Sequence, residues 1–533
     1  MTTQEPMERP ADQTDYLDDE GLLHRLGYAQ ELFRAVGGFG NFAISFTIIS
    51  ILAGCLTSYW IALGWGGPVA IIWGWLLVGS FCILVSLAMG EIASSMPTAG
   101  GLYYWSSRLG SPGWGWFTGW FNLIGQIAVT AAIDFGAAIF WTSLLNLWFD
   151  YPNSQGWIFV AYSVIIGCHL ILNMFSIRLN DLLNRISAWW HMVGVLVIAA
   201  VLFIVPDQHA SAGFVFTETI NNSGFSGANF GDAGFWFVFG LGLLMAQYTI
   251  TGFDASAHIS EETRMASRGA ALGMVMSVVV SVIFGFIVLL AVTFAIQDVD
   301  GAIGAGGFAV QEIWTTALGD RWAEFCLFIA CVAQFFCGNA SVTSASRMMF
   351  AFSRDRAIPG HQLWRRVAGD RVPVFAVCAI VVLSWALMLP TLSNAIVGYA
   401  VGTSIAVIGL YIAFVLPIIL RYRAGERFQR GAWHLGKHYK WIDPLAIGWI
   451  ALICVLFLMP LFPDGFPWTE GSLNWNDVNY APITVGGALL FFGGWYLISA
   501  RKWFKGPVRM SDEEVAARER GVEGEPGIAP AGR

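Results

Sequence analysis

Residues 235–263 read FWFVFGLGLLMAQYTITGFDASAHISEET, and this stretch governs the interpretation of the whole chain. It begins as an apolar helix long enough to enter a bilayer. Near its middle it carries the polar cluster Gln247, Tyr248 and Thr249, followed by Gly252 among β-branched neighbours. Glycine and β-branched residues both weaken a helix. The stretch therefore predicts a membrane-crossing helix that is broken partway.

Two ionisable residues follow the predicted break, Asp254 and His258, one helical turn apart and so on one face. An ionisable side chain at membrane depth costs several kcal/mol, so it normally faces a polar cavity, a pathway or a partner. A simpler interpretation places both at the end of a helix that exits at Glu261 and Glu262. That interpretation accounts for His258 but leaves the polar cluster and the glycine unexplained.

The composition is that of an integral membrane protein. Of 533 residues, 56% are hydrophobic and 12% are charged, against roughly 25% charged in soluble domains. The 25 Trp suit membrane interfaces, and no basic patch interleaved with aromatics suggests nucleic acid. The eight cysteines fall in or beside apolar runs, so we expect neither a disulfide framework nor a metal site, and no cofactor.

Apolar runs long enough to cross about 30 Å of hydrocarbon predict about twelve spans. They lie at 38–62, 68–89, 116–145, 156–174, 187–204, 235–257, 270–295, 323–345, 374–389, 395–420, 444–461 and 483–500. Residues 1–35 form a polar tail that we expect to be mobile, with a short helix near 26–34, and residues 506–533 form a second tail.

Loop charges alternate along the chain. Cations such as Arg178, Arg264 and Arg354 lie in one set of loops, whereas acids such as Asp150 and Asp298 lie in the other set. The positive-inside rule then puts both termini in the cytoplasm. This orientation also requires an even number of spans.

The first predicted span has an interruption like that of the sixth. Residues 45–54 read SFTIISILAG, with hydroxyls and a glycine in the middle of an apolar run. Paired broken helices in corresponding halves of a membrane protein point to the binding site of a transporter.

Three further motifs carry a family resemblance: GEIASSMPTAGGLYYWSSRLG at 90–110, TGFDASAHISEET at 251–263 and SASRMMFAFSRDRAIPG at 344–360. Together they resemble the amino acid–polyamine–organocation superfamily, and its amino acid/choline permease branch, which includes γ-aminobutyrate permeases. The resemblance runs from about residue 27 to the last span. It implies an all-α membrane protein with a five-plus-five inverted repeat and broken spans 1 and 6.

The resemblance also divides the chain. The transmembrane domain covers 36–505, with repeat one at about 36–205, repeat two at about 235–420 and two peripheral helices at about 442–505. Substrate is expected at the midplane between spans 1 and 6, lined by spans 3, 8 and 10. Alternating access then moves spans 1, 2, 6 and 7 against the remaining scaffold.

An amino acid substrate brings a carboxylate into low dielectric, where backbone N–H groups at the start of a half-helix can bind it. The candidate donors are the N–H groups of Ala53, Gly54 and Cys55, with Ser50 beside them and Gly54 allowing close approach. Ser50 and Gly54 are also small enough to serve tight helix packing instead.

The ammonium end needs acceptors, and the carbonyls freed near Gln247 by the break supply them. In the family pattern, Tyr248 takes the place of an aromatic gate, and Gln126 on span 3 takes that of a substrate contact. Thr251 and Gly252 complete the expected site.

Four residues are candidates for proton coupling or gating: Asp254, His191, Glu91 and Asp134. Relatives carry an acidic residue at the place of Asp254. Several relatives place a lysine near His191, which could load and release a proton or could simply be a hydrogen-bonded interfacial histidine; both interpretations stay open. Asp134 could line an outer vestibule.

We therefore expect a plasma-membrane permease, not an enzyme. It would carry a small amino acid or ω-amino acid such as γ-aminobutyrate, with a co-transported proton and the lipid bilayer as its partners and no nucleic acid. The alternative is an uptake or exchange permease for an amine, choline or a polyamine, which would depend on Asp134. No catalytic constellation favours a membrane enzyme, and a channel would lack the paired breaks. Oligomeric state stays open.

Overall fold

The computed structural model describes residues 19–175, 177–227, 231–367, 372–465, 474–475, 477–508, 511 and 513–515. These residues form helices and connecting turns, with no named strand among them. Residues 1–18 of the predicted N-terminal tail, and most of the predicted C-terminal tail, lie outside the described residues.

The first repeat contains spans 1 to 5. Span 1 consists of three pieces, and spans 2 to 5 are single helices. In order they are Gly38–Ile49 with Gly54–Thr57 and Tyr59–Gly64, then Pro68–Ser95, Pro112–Phe149, Gln155–Met174 and Ile177–Ile204.

The second repeat and the final helices follow the same order. Span 6 again has three pieces, Ala233–Gly242, Leu244–Thr249 and Ala255–His258. Spans 7 to 12 are Ala266–Phe294, Asp320–Arg354, Val374–Leu387, Ala395–Ala424, Tyr439–Leu458 and Ala481–Trp495, the last continued by a π-helical turn at Tyr496–Ala500.

Short helices join the spans. They are Asp19–Leu26, Gly101–Leu109, Ala212–Thr217, Val299–Gly304, Ala309–Leu318, His361–Trp364 and Arg501–Trp503. Single 3₁₀ turns lie at Ser260–Glu262, Gly306–Phe308, Leu389–Leu392, Gly425–Arg427 and Pro463–Gly465.

Eleven helices in the described part of the chain are long and apolar enough to cross a membrane. The Ala233–Thr249 part of span 6 is apolar but shorter, because the helix breaks where the sequence predicts a break. The all-α architecture and the interruptions of spans 1 and 6 are confirmed. Spans 3 and 8 extend several residues beyond the predicted 116–145 and 323–345, since helical hydrogen bonding continues into polar ends that hydropathy assigns to loops.

The N-terminal segment differs from its prediction. Its helix is Asp19–Leu26, and the following residues run extended over the ends of spans 6 and 8. Val36 pairs with Thr263 in an isolated bridge, donating to the Glu262 carbonyl over 2.9 Å and accepting from Arg264 N–H over 2.9 Å. The expectation of a mobile tail is therefore wrong for residues 19–35, because backbone pairing and buried side chains fix them.

Two layers position the breaks. Span 2 packs along span 7, and span 1 packs on spans 5 and 7. Span 3 packs between spans 8 and 10. Spans 1 and 6 therefore lie between these layers, with their broken segments at the centre of the bundle.

Candidate functional site: the paired helix breaks

The break in span 1 is a tight turn at Ser50. Its φ of 37° is left-handed, which is uncommon for a residue other than glycine. The Ser50 carbonyl accepts from the N–H of Ala53 over 2.8 Å and from the N–H of Gly54 over 2.9 Å. Two of the three predicted carboxylate donors are thus used within the turn itself. The thiol of the third, Cys55, donates to the Ile51 carbonyl over 2.6 Å.

Among the described residues, other backbone groups of this turn either have no backbone partner or accept hydrogen bonds from side chains of span 8. Among the described residues, the N–H groups of Ile51 and Leu52 donate to no backbone carbonyl. Gln334 donates to the Leu52 carbonyl over 3.3 Å, and the Cys337 thiol donates to the Ile48 carbonyl over 3.2 Å. Sequence reasoning missed Ile51 and Leu52, because which N–H groups stay open depends on the turn geometry.

The break in span 6 falls between Thr249 and Ala255, with Gly252 at φ 93°. Its freed carbonyls are bound by side chains: Tyr411 donates to Ile250 over 3.0 Å, and Ser45 donates to Phe253 over 2.8 Å. Irregular backbone inside a membrane protein requires such partners. Side chains of spans 1 and 10 therefore stabilise the irregular backbone of this break.

The two breaks interlock through their glycines. A Cβ added at Gly54 would lie 2.9 Å from the Cα of Thr249, and one added at Gly252 would lie 2.3 Å from Cγ2 of Ile48. Each glycine thus faces the half-helix that precedes the other break. This reciprocity is what an inverted repeat produces, and it gives Gly54 the packing role that the sequence left as an alternative. Its role in ligand approach stays a prediction.

Asp254 joins span 6 to span 3. Its Oδ2 accepts from Gln126 Nε2 over 2.9 Å and from Asn122 Nδ2 over 3.3 Å, and lies 3.2 Å from His258 Nε2. Its Oδ1 has no hydrogen-bond partner among the described residues, although the side chain is fully buried. Two residues predicted for separate roles, Gln126 and Asp254, are therefore in direct contact.

The second ring nitrogen of His258 fixes where its proton lies. Nδ1 is 3.1 Å from the carbonyl oxygen of Ala99, which can only accept, so Nδ1 carries a hydrogen. In a neutral ring Nε2 would then be an acceptor facing the Asp254 carboxylate. A hydrogen on either Nε2 or Oδ2 removes this conflict and makes the 3.2 Å contact a hydrogen bond.

His191 on span 5 tethers the break of span 1. Its Nε2 lies 2.7 Å from Ser50 Oγ, and its Nδ1 lies 2.8 Å from the Ser187 carbonyl. Because that carbonyl accepts from Nδ1–H, Nε2 of the neutral ring accepts from the Ser50 hydroxyl. Both ring nitrogens are thus satisfied without an added proton.

Gln247 and Tyr248 are held by other spans. Gln247 accepts from the indole N–H of Trp449 over 3.0 Å. Tyr248 stands edge-on to Tyr399, with ring centroids 6.3 Å apart, and the Tyr399 hydroxyl lies 2.8 Å from Thr57 Oγ1. Thr251 donates to the Gln247 carbonyl over 2.6 Å. Trp449 of span 11 is a contact that sequence reasoning missed.

Asp134 has its own partner away from the breaks. It lies 3.1 Å from His169 Nδ1 on span 4, and both side chains are fully buried. A Cβ added at Gly338 of span 8 would approach Asp134 to 1.8 Å, so span 8 packs directly against this pair. Sequence reasoning missed His169, because no spacing pattern links it to span 3.

Glu91 pairs with span 10 rather than with span 6. Its Oε2 accepts from Arg421 Nε over 2.8 Å, and its Oε1 accepts from Leu435 N–H over 3.1 Å. Glu91 thus connects the end of span 2 to the end of span 10.

At the end of the bundle that carries the N-terminal segment, charged groups bind the spans together. Glu261 accepts from Arg354 over 2.9 and 3.0 Å and from Ala99 N–H over 3.0 Å. Burial alone would raise the pKa of Glu261, but Arg354 and these hydrogen bonds outweigh it and hold the pKa below its ordinary value. Glu262 lies 3.4 Å from Arg347.

Asp355 anchors both ends of the chain at the same place. Its Oδ2 accepts from Tyr28 over 2.7 Å and from Tyr103 over 2.9 Å, and its Oδ1 accepts from Val508 N–H over 3.0 Å. Burial raises the pKa of Asp355 above its ordinary value, even beside Arg354 and these donors. The N-terminal segment therefore closes this end of the bundle.

The breaks are closed off from solvent. All the predicted substrate-binding and coupling residues are buried: Ser50, Ala53, Gly54, Cys55, Gln126, Gln247, Tyr248, Thr251, Gly252, Asp254, His191, Glu91 and Asp134. A cavity of about 390 Å³ lies elsewhere, lined by residues of spans 9, 10 and 12 that include Pro390, Val401 and Thr484. Among the described residues, the unpaired groups at this closed centre include the Ile51 and Leu52 N–H groups and Asp254 Oδ1.

Comparisons with known proteins agree with this architecture. A sequence model of a family described as "Amino acid permease" matches residues 36–489. The chain is 40% identical over 506 residues to the Amino-acid permease BAT1 of Arabidopsis thaliana, covering 91% of this chain and 95% of that protein. It is 40% identical over 512 residues to a BAT1 homolog of Oryza sativa subsp. japonica, covering 92% and 95%. It is 28% identical over 528 residues to the GABA-specific permease of Saccharomyces cerevisiae, covering 95% and 89%.

Proposed function

The chain belongs to the amino acid permease family and is a multi-pass membrane protein, and on that premise we propose that it carries a small amino acid or ω-amino acid by proton symport. The substrate class follows the relatives named as amino-acid and GABA permeases. We further propose that the protein works in the plasma membrane, with the end that carries Tyr28 and Arg354 in the cytoplasm.

The observation that carries this proposal is the surroundings of Asp254. The carboxyl lies 3.2 Å from His258 Nε2, follows the broken backbone directly, and accepts a hydrogen bond from Gln126 on span 3. Span 3 belongs to the scaffold in the proposed mechanism, whereas span 6 belongs to the moving bundle. Loading or losing the proton therefore changes the strength of a contact between the two parts, as coupling requires.

The substrate would bind against the same group. Oδ1 of Asp254 has no partner in the described residues and suits an ammonium. The open N–H groups of Ile51 and Leu52 suit a carboxylate. A zwitterion would then bridge the two breaks, since spans 1 and 6 already touch at their glycines.

The amine alternative receives less support. It depends on Asp134 as a free carboxylate, and His169 Nδ1 already lies 3.1 Å from that group. A dicationic substrate would have to displace a buried partner, which costs several kcal/mol.

The test is uptake into proteoliposomes with and without an inward proton gradient. Labelled γ-aminobutyrate is supplied, with amino acids, choline and putrescine as competitors. We expect gradient-driven accumulation, competition by amino acids, and loss of the gradient effect in Asp254→Asn. Asp150→Asn, at the exposed end of span 3, is the matched control, and we expect it to keep the effect of the proton gradient.

Exchange of internal for external substrate separates coupling from binding. Asp254→Asn keeps exchange if the carboxyl serves coupling alone, and loses both activities if it also binds the ammonium. Unchanged gradient-driven accumulation in Asp254→Asn would contradict the proton role. Competition by putrescine or choline but not by amino acids would contradict the substrate class.

A further inference from the structure

Arg421 on span 10 is a buried guanidinium with one unused nitrogen. Nε donates to Glu91 over 2.8 Å and Nη1 donates to the Gly425 carbonyl over 3.0 Å. The group also lies 4.2 Å from the ring of Phe428 and 4.1 Å from that of Tyr439. Nη2 is buried without a hydrogen-bond partner among the described residues.

Asp443 on span 11 is a buried carboxyl group whose oxygens could accept from the unused nitrogen of Arg421. Its side chain is fully buried, and neither carboxyl oxygen has a partner within the described part of the chain. It is close enough to interact electrostatically with both Arg421 and Glu91. An unused donor and two unused acceptors thus occupy one cluster, joined by the packing of span 11 against spans 2 and 10.

The charges of this cluster do not balance if every group is ionised. Two carboxylates would then share one guanidinium, and the carboxylate without a hydrogen bond would bear the full cost of burial. Glu91 holds two donors, Arg421 and Leu435 N–H, so it is the ionised member. Asp443 is then neutral and carries a proton.

We propose that Asp443 is a proton-binding site and the alternative partner of Arg421. In the arrangement seen here, Arg421 pairs with ionised Glu91 while Asp443 carries the proton. In the other arrangement Asp443 is ionised and pairs with Arg421, and the proton resides on Glu91. The cluster stays neutral in both, because one proton leaves one carboxyl as the other gains one.

Within the described part of the chain, the helices that pack on span 11 add no competing charge to the cluster. Glu91 is the sole charged residue of span 2, and spans 6 and 12 contribute none from the helices that touch span 11. The remaining charged or titratable groups of the adjoining segment are exposed to solvent: Tyr422, Arg423, Glu426, Arg427, Arg430, His434, Lys437, His438 and Lys440. The buried tyrosine is Tyr439, whose ring stacks on Arg421.

Such an exchange would let span 2 separate from span 10 without leaving Arg421 unpaired. Breaking a buried ion pair by removing one partner is strongly destabilising, because it leaves an uncompensated buried charge. A second carboxyl on span 11 would lower that cost during the movement of span 2.

The experiment is a double-mutant cycle that measures the thermal stability of the full-length protein in nanodiscs. The variants are Glu91→Gln, Asp443→Asn and the double variant, with exposed Glu426→Gln as control. We expect each single variant to stay folded, since Arg421 keeps one carboxylate. The double variant should unfold at temperatures where both single variants remain folded. Adding Arg421→Met to the double variant should restore folding, because no unpaired guanidinium then remains. Additive shifts in Tm, or no rescue by Arg421→Met, would overturn the proposal.

Infrared spectroscopy of the same samples supplies an independent readout. The unsubstituted protein should show a protonated-carboxyl band that Asp443→Asn removes. Glu91→Gln should remove the same band, because Asp443 ionises to pair with Arg421. A spectrum in which Asp443→Asn removes no protonated-carboxyl band, or in which Glu91→Gln leaves the Asp443 band unchanged, would overturn it. Neither measurement needs a substrate, so failure here is distinguishable from failure of the transport proposal.

Discussion

The hydroxyl of Ser50 donates to Nε2 of His191 over 2.7 Å, and this bond joins the unwound turn of span 1 to span 5. Both side chains are fully buried. The bond holds a residue whose φ of 37° an L-amino acid adopts only at a cost. His191 therefore stabilises the turn in which the N–H groups of Ile51 and Leu52 have no backbone partner.

Ser50→Ala should destabilise the protein more than Ser50→Gly. Both variants leave Nε2 of His191 without its donor, a loss of about 1–3 kcal/mol. Glycine regains about 1–2 kcal/mol because it tolerates the left-handed conformation. Thermal unfolding in nanodiscs measures the order, and equal stability of the two variants would show that the turn is not strained.

Gly252→Ala should abolish folding or transport. The added methyl would lie 2.3 Å from Ile48 at a φ of 93° that disfavours any side chain. Ile48→Ala in the same chain removes the contact but not the backbone strain, so it should rescue in part. Gly486→Ala, which meets nothing within 4 Å in span 12, is the control. Expression and monodispersity of the three variants test this, and a normal Gly252→Ala protein would contradict the interlock.

Trp449→Phe should weaken both the fold and substrate binding. Phenylalanine keeps the stacking on Phe81, whose ring centroid is 4.4 Å away, but lacks the N–H that Gln247 accepts. A buried acceptor left unpaired costs about 1–3 kcal/mol. We expect a lower Tm from this cost, and a raised KM for uptake because Gln247 belongs to the candidate site. Trp441→Phe, on the exposed side of the same helix, should change neither value, and an unchanged KM in Trp449→Phe would exclude a role for span 11 at the site.

Glu261→Gln should remove an acid-dependent part of the stability. The pKa of Glu261 is depressed in the folded protein, so its contribution is present above the ordinary value of 4.5 and is lost as pH falls through the folded value. The variant also leaves buried Arg354 unpaired, at about 3–5 kcal/mol. Tm should therefore be lower and should depend less on pH below about 4.5.

Glu426→Gln is the control for this pH profile, because its ion pairs with Arg430 and Lys440 are exposed. Such exposed pairs are screened by solvent and contribute little to stability, so its profile should follow that of the unsubstituted protein. If the pH profile of Glu261→Gln also follows that of the unsubstituted protein, the Glu261–Arg354 pair does not stabilise the end of the bundle that carries the N-terminal segment.

Asp134→Asn should lower stability without changing which compounds compete for uptake. Its carboxyl group is the partner of His169 Nδ1, and a buried hydrogen-bonding group left unpaired costs about 1–3 kcal/mol. Competition by putrescine and choline, measured beside amino acids, checks this. Selective loss of amine competition in a folded variant would instead favour the amine permease.

The sequence by itself determined the class of the protein and the place of both breaks. Long apolar runs have one stable solution in a bilayer, and Gly252 among β-branched residues marks where the helix fails. The residues near the breaks, Asp254, Gln126 and Ser50, could be chosen because polar groups at that depth are expensive.

Only the tertiary structure decided which residue faces which. The partners of Asp134, Gln247 and Glu91 are His169, Trp449 and Arg421, and each lies on a span that no periodicity connects to the first residue. The use of the Ala53 and Gly54 N–H groups within the turn likewise follows from the φ of Ser50. A sequence pattern fixes the depth and face of a side chain along its own helix, whereas a contact between helices depends on how the whole bundle packs.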